Sequence, residues 1–507
     1  MKAIIIGSGL SGLTTGAYLS REGYQVVIYE QHTEIGGVTA TIHKEGYSWD
    51  LGPLLLEGLA PHEKLGKIMI ELGIYDKISL IKKDRGQSLP NFDIWRPKEY
   101  QGPYWRKSFF KNLFPEEEEG LDNYYDFYDK MMKLIFYINQ IPFVKGLKGL
   151  LLKLKLFFNY LKVKKYEKWS AAELTDHFFS NQKLKTVFLG ILADFVVKPS
   201  EFPGLGVPMV NVETAFDKRI PTNYKGIKLP EYHYIINGCE QLIFAFSDLI
   251  TSNNGEIHTN KKVEKIIIKE GKARGIKLED GTEDSGDLII ASGGIFNTFY
   301  NLIGKEYLPP DFIENIENIK LMESVLMVHI GIDFDPTPHQ REALCYYYRT
   351  YDIETAIEDM REGKYHEGKD GFLIFIPSLF APNMAPSGKH TITIYTVAPH
   401  KLKNGNWEEL KEELGEKLLI EAEKIIPKLR DHIQTKIIMT PDDFKERINV
   451  VRHSFGGTAP AMGQENPSHR TPIENLWYIG AYSESGGGVA GVAMGARNVS
   501  KMILGEK

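Results

Sequence analysis

Between Ala3 and Glu30 the chain carries a pattern that admits few folds. An apolar run, Ala3-Ile4-Ile5-Ile6, ends in Gly7-Ser8-Gly9-Leu10-Ser11-Gly12; a helical pattern through Leu13, Ala17 and Tyr18 continues to Gly23; a second apolar run, Val26-Val27-Ile28-Tyr29, delivers Glu30. Strand, glycine turn, helix and strand thus follow one another within about 30 residues, the size of a βαβ unit with a parallel strand pair. Each residue type has a physical reason. Gly7 allows the tight turn, Gly9 lets the backbone approach a diphosphate, and Gly12 lets helix and strand pack closely. The helix N-terminus then faces the phosphates. Glu30, eighteen residues beyond Gly12, accepts hydrogen bonds from the hydroxyls of an adenosine ribose, and its charge repels a 2'-phosphate, which disfavours NADP. Gly7, Ser8, Gly9, Leu10, Ser11, Gly12, Glu30 and the adjacent Gln31 are therefore candidate cofactor-binding residues.

At 507 residues and 42% hydrophobic content, the chain buries a large core and divides into at least two domains. A net charge of -6 with 25% charged residues gives no reason to expect a nucleic-acid partner. Two cysteines, Cys239 and Cys345, form no C-x-x-C pair and suggest neither a zinc ribbon nor a disulfide framework, so no metal is expected and a reducing cytoplasm fits. The N-terminus opens on a strand-like run without the regions of a signal peptide. No apolar run reaches the eighteen or so residues of a spanning helix.

The first βαβ unit does not distinguish NAD from FAD, because both present the same ADP half. The next segment does. Gln31-His32-Thr33-Glu34-Ile35-Gly36-Gly37-Val38-Thr39 is followed by a hairpin pattern, Thr41-Ile42-His43 and Tyr47-Ser48-Trp49, and then Asp50-Leu51-Gly52. A glycine pair there gives the extended chain room beside a bulky cofactor. At the other end, Asn475-Leu476-Trp477-Tyr478-Ile479-Gly480-Ala481 reads as a buried strand, and Gly486-Gly487-Gly488-Val489-Ala490-Gly491 opens a helix of small residues. That string also matches G-x-G-x-x-G, but the sixteen residues after Gly491 leave no room for a second strand and its acid. Its expected role is to aim backbone N–H groups and a helix N-terminus at a flavin ring, where a positive dipole stabilises the reduced anion.

These two ends resemble the FAD-dependent amine oxidase superfamily, and in particular its phytoene desaturase branch with carotenoid isomerase and retinol saturase relatives. The resemblance implies FAD as cofactor, with Gly36, Gly37, Val38, Gly52 and Gly480 lining it and Gly488, Val489 and Ala490 at the flavin pyrimidine. Many members have Arg after the glycine pair; Val38 departs from that. The central segment, Tyr234 to Gly294, resembles the family's second nucleotide-binding stretch, in which the residue matching Val263 contacts the adenine through its backbone. Cys239 stands where the family usually has a second Gly, which puts the local turn in question. The implied fold is α/β: a split Rossmann-like FAD-binding domain (1–75, 232–300 and 441–507) with an inserted α+β substrate domain (76–231 and 301–440) containing a mixed or antiparallel sheet. Strand patterns at 325–330, 371–378 and 391–396 and a helix from Trp407 to Ile426 belong to the insert.

Residues 145–168 carry eight lysines (Lys145, Lys148, Lys153, Lys155, Lys162, Lys164, Lys165 and Lys168) against one acid, Glu167, while Leu147, Leu150, Leu151, Leu154, Phe157, Phe158 and Leu161 recur at helical spacing. Such a helix can lie in a membrane interface, lysines on anionic headgroups and apolar side chains in the acyl boundary. A lid helix with solvated lysines is an equal alternative. The acidic run Glu116–Glu119 reads as a solvated helix start.

Amine oxidases commonly have Glu or Asp at the position of Ala481, whereas phytoene desaturases resemble this chain there. The resemblance therefore implies a desaturase, saturase or isomerase acting on C=C or C–C bonds of an apolar, isoprenoid substrate, carotenoid- or retinoid-like, by hydride transfer to or from flavin N5. A flavin amine oxidase and a non-catalytic protein that binds FAD and lipid are the alternatives. Chemistry of this kind rests on orientation and water exclusion, so it leaves sparse motifs. Arg452, His453, Tyr482 and Glu484 are candidates for the flavin-proximal wall, with a satisfied structural role the expected one for His453. The expected location is cytoplasmic, with peripheral contact at the inner membrane face through 145–168; the sequence leaves the oligomeric state open.

Overall fold

Apolar runs that alternate without polar interruption predict strands buried on both faces, and the chain builds such a sheet. The structure, a computed structural model, describes residues 1–52, 54 and 56–505. Its first sheet has five parallel strands in the order Glu256–His258, Gln25–Tyr29, Lys2–Ile6, Leu288–Ser292 and Leu476–Ile479. Successive side chains point to opposite faces. Ala3 and Ile5 thus join Val26, Ile28 and Ile290 in a core under the first helix, Leu10–Arg21. Ile4 joins Ile289, Ala291 and Tyr478 on the other face, against an antiparallel meander of Val263–Lys269, Lys272–Leu278 and Glu283–Ser285. The first helix lies between Glu240–Ser252 and Val489–Ile503. Gly16 makes this possible: a Cβ there would stand 3.0 Å from Ile250 and 3.1 Å from Ile28.

The second sheet is mixed. Seven strands run in the order Ile433–Met439, Ser324–Ile332, His390–Ala398, Gly371–Phe375, Leu344–Tyr348, Gly86–Leu89 and Phe92–Ile94; the pair Leu344–Tyr348 and Gly86–Leu89 is parallel and the others are antiparallel. One face, with Leu326, Val328, Ile392 and Ile394, packs under the helix Trp407–Glu423. The opposite face, with Val325, Met327, Leu373, Phe375, Tyr346 and Tyr395, packs toward Val38, Ala40 and Leu51 of the nucleotide-binding part.

A helical body covers one end, built on Trp105–Leu113, Glu118–Gln140, Ala171–Phe178 and Gln182–Leu189. The acidic run does start a helix, but Glu117 corrects the solvated reading: it is 4% exposed and accepts hydrogen bonds from Ser180 N–H (2.9 Å) and the Ser180 hydroxyl (2.6 Å). The helix Gly146–Leu161 leans on this body through Leu156 and Tyr160. Its other side faces outward: Leu147, Leu150, Leu151, Leu154, Phe157, Phe158 and Leu161 are 46 to 73% exposed. Among the described residues no helix is long and apolar enough to cross a membrane.

Candidate functional site

In an open parallel sheet the ligand crevice lies outside the carboxyl ends of the strands. Here those ends deliver Gly7, Glu30, Ser292 and Gly480 to one rim, where Ser11 Oγ meets Ser292 Oγ at 2.8 Å. Three glycines of the turn separate into two kinds. Gly7 has φ +95° and a Cβ there would stand 2.8 Å from Ser292 O, and a Cβ on Gly12 would stand 2.1 Å from Gly7 O. The protein's own packing requires both. Gly9 is different: its φ is -61°, ordinary for any residue, and a Cβ would meet nothing within 4 Å. What Gly9 leaves open is space for a ligand.

Two helices begin at this space without a side-chain cap. Leu10–Arg21 starts after Gly9, and Val489–Ile503 starts after Gly488, whose φ is +83° and whose Cβ position is open. Each presents uncapped N–H groups and the positive end of a helix dipole, the arrangement that suits a diphosphate at one helix and an electron-rich ring at the other. Val489 and Ala490 form the first turn of the second helix. Gly36 and Gly37, at φ +108° and +59°, fold back onto the turn: Gly36 N–H donates to Ser8 O at 3.1 Å, and a Cβ on Gly37 would stand 3.6 Å from Gly9 Cα. Gly52 closes against Val38, with its Cβ position 2.5 Å from Val38 O.

Glu30 is 8% exposed. Its Oε2 accepts from Ser8 N–H (2.9 Å) and the Ser8 hydroxyl (2.7 Å), and its Oε1 accepts from His32 N–H (2.9 Å). Lys261 N–H donates to Glu30 O at 2.8 Å, two residues ahead of Val263, the first residue of its strand. Gln31 turns elsewhere, its amide donating to Glu446 O (3.0 Å) and Arg447 O (3.2 Å). The open cradle at Gly9, the two uncapped helix starts and the ribose-side acid together fit FAD. The turn at Cys239 forms normally, because only Gly238 (φ +97°) and Asn237 (φ +74°) need the left-handed region and Cys239 sits at φ -65°.

The structure divides the four wall candidates. Tyr482 OH accepts from Ser454 Oγ at 3.1 Å, and Gly457 lies against the Ala481 carbonyl, so the segment 452–457 runs beside the flavin strand. Arg452 pairs with Glu323. His453, 2% exposed, shares a hydrogen bond with the Ser324 hydroxyl and stacks on Phe444 at 4.8 Å; burial pushes its pKa down to about 3, so the ring is neutral. Glu484 accepts from Ser468 Oγ (3.1 Å) and His469 N–H (2.7 Å). It braces the 467–469 loop.

Other buried polar groups lie beside the seven-stranded sheet. Asp50 accepts from Thr41 Oγ1 (2.6 Å), Tyr234 OH (2.8 Å) and Cys239 N–H (2.7 Å), with burial raising its carboxyl. Lys83 donates to Leu54 O and lies 3.9 Å over the Phe375 ring, and burial pushes its ammonium down to about 7. Arg85 sits 4.9 Å from both the Phe216 and Tyr346 rings. Asp194, beside Tyr346, is pushed up to about 7 by burial. Single charged residues next to apolar strands carry no motif. The one signal within reach of the sequence was the run Lys82-Lys83-Asp84-Arg85 directly ahead of a strand.

The chain matches the pattern of the flavin containing amine oxidoreductase family over residues 10–504. It is 24% identical over 520 residues to a 4,4'-diapophytoene desaturase (4,4'-diapolycopene-forming) of Methylomonas sp, covering 99% of this chain and 94% of that protein. It is 25% identical over 508 residues to the chloroplastic prolycopene isomerase 1 of an Oncidium hybrid cultivar, covering 97% and 81%. Among solved structures, an oxidoreductase from Methanosarcina mazei superposes with a TM-score of 0.62 at 20% identity, covering 99% of this chain and 100% of that one. With the α/β fold and the FAD cradle already in place, the match across nearly the whole length decides the matter: this chain belongs to the flavin containing amine oxidoreductase family and is an FAD-dependent oxidoreductase.

Proposed function

We propose that the substrate is an apolar polyene of isoprenoid type, and that the chain desaturates, saturates or isomerises it. The observation that carries this reading is the buried sheet face opposite the glycine turns, where Val325, Met327, Leu373 and Phe375 meet Val38 and Leu51. Such a face suits a hydrocarbon rather than a charged substrate. Ala481, without a carboxylate, and the relatives named for desaturation and isomerisation of carotenoids support it. Bound FAD supplies a hydride acceptor or donor at flavin N5. The residues of the chain hold the reacting carbon near that position and keep water out, which is where rate enhancement arises when no strong acid or base takes part. The uncapped start of Val489–Ile503 lends a positive dipole to the pyrimidine side.

Anaerobic mixing with polyenes and with amines, followed by the flavin absorbance, tests this reading. Bleaching by a hydrocarbon polyene, or isomerisation of a cis-polyene by the reduced enzyme, is the expected result. Bleaching by an amine alone would replace it with the amine oxidase reading.

The protein works at a membrane surface, in the cytoplasm and peripheral to the inner membrane face. The support is the outward side of the helix Gly146–Leu161, where Leu147, Leu150, Leu151, Leu154, Phe157, Phe158 and Leu161 are 46 to 73% exposed while lysines flank them. This is the amphipathic form that inserts at a headgroup boundary, and it gives a water-insoluble substrate a short path to the site.

A further inference from the structure

The clasp between the glycine turn and the helix Pro441–Arg447 assigns a residue to the cofactor. We propose that Arg447 is a cofactor-positioning residue, which holds the 32–37 turn over the diphosphate of FAD and supplies positive charge there. This rests on the FAD assignment and extends it to a residue from the far end of the chain.

The geometry begins at Gly37. Arg447 Nε donates to Gly37 O at 3.2 Å, its Nη1 meets His32 Nε2 at 3.5 Å, and its Nη2 donates to Glu34 at 3.3 Å. One guanidinium thus ties together three residues of a single turn. Gly37 in turn stands against Gly9, the glycine with open space in front of it. The contact is reciprocal, because Gln31 caps the last carbonyls of the helix that carries Arg447.

Charge points the same way. The turn already holds Glu30 and Glu34, and a diphosphate adds negative charge beside them, so an uncompensated cradle would repel its ligand. Position 38, where many chains resembling this one have Arg, is Val, and its side chain packs into an apolar cluster. Arg447 brings a guanidinium to the same turn from 410 residues away. It lies only 9% exposed at the side chain, on the wall of a cleft of about 910 Å³ that Gln31, His32 and Lys261 also line. There its field is screened less than that of a surface charge.

Titration of the apoprotein with FAD, read by flavin fluorescence, tests the assignment without recourse to activity. Arg447→Gln should weaken FAD affinity tenfold or more and flatten its dependence on salt, while the melting temperature of the apoprotein stays unchanged. Equal affinity and an equal salt slope in wild type and variant would overturn the proposal. Weaker affinity with an unchanged slope would overturn its charge component and leave the clamp. If the apoprotein melts lower, Arg447→Lys decides: affinity above that of Arg447→Gln supports the role, and affinity equal to it refutes it. A wild-type apoprotein that took up no FAD would instead count against the cofactor assignment itself.

Discussion

Ser8 grips Glu30 twice, through its backbone N–H and its hydroxyl, and both bonds end on the same carboxylate oxygen. The second oxygen carries only the His32 N–H and retains a lone pair, since an ionised carboxylate accepts about four hydrogen bonds. The serine therefore orients the acid before any ribose arrives. Glu30→Ala should weaken FAD binding by about 1.5 to 3 kcal/mol, the range of a hydrogen bond to a charged group, and Ser8→Ala by less. Calorimetric titration of the two apoproteins would show the order; the reverse order would mean that Ser8 itself meets the cofactor.

The contrast between Gly9 and Gly12 predicts two different failures. A Cβ on Gly9 has no protein atom within 4 Å, so the apoprotein of Gly9→Val should melt like wild type and purify colourless. Gly12→Ala drives a methyl to 2.1 Å from Gly7 O and should destabilise the fold itself by about 1 to 3 kcal/mol, the usual cost of overpacking. Denaturant melts of the apoproteins separate the two. A yellow Gly9→Val protein at full occupancy would refute the cradle.

Two buried histidines should weaken the fold in acid. Burial pushes His329 and His453 each down to about 3, whereas in the unfolded chain each titrates near 6.5. Between these values the unfolded state binds the additional proton. The stability that each ring contributes is therefore intact above pH 6.5 and is lost as pH drops toward 3, by up to about 1.4 kcal/mol per pH unit. Asp194 and Glu63, raised by burial to about 7 and about 8, work in the opposite sense over the same range, so the comparison of variant with wild type isolates the ring: urea midpoints of His453→Asn should lose less, or gain more, than those of wild type between pH 7 and 4.5. An unchanged slope in the variant would mean that His453 is protonated in the fold.

Replacing Leu150, Leu154 and Phe158 together with Ser should abolish flotation with vesicles containing anionic lipid and leave the melting temperature within about 1 °C of wild type, since exposed positions change stability by under 0.5 kcal/mol each. Lys148, Lys155 and Lys162 changed to Glu should weaken binding to anionic vesicles in particular. Undiminished flotation of both variants would return the helix to the lid reading.

Much of the nucleotide half was legible before folding, because its constraints are local. Gly7, Gly12 and Glu30 are spaced by one strand, one turn and one helix, and Gly488 is followed at once by the helix it opens. The sheet of the insert was legible in part. Runs such as 325–330 and 391–396 alternate well, but Gly86–Leu89 and Phe92–Ile94 are short, and they owe their place to a parallel pairing with Leu344–Tyr348 that no periodicity announces. Arg447 was invisible for a related reason: a guanidinium that donates to a carbonyl 410 residues away leaves no trace in spacing. His453 shows the converse, since its position just ahead of the strand Leu476–Ile479 was readable while its neutrality comes from burial, among neighbours such as Ser324 and Phe444 from distant parts of the chain.

The parallel sheet draws its strands from residues 2–6, 25–29, 256–258, 288–292 and 476–479, and the first helix lies beside Val489–Ile503. A ribosome therefore finishes the phosphate turn hundreds of residues before it makes the helix that completes the flavin's surroundings. The two ends of the cofactor site are thus joined only when the last helix, Val489–Ile503, packs beside the first.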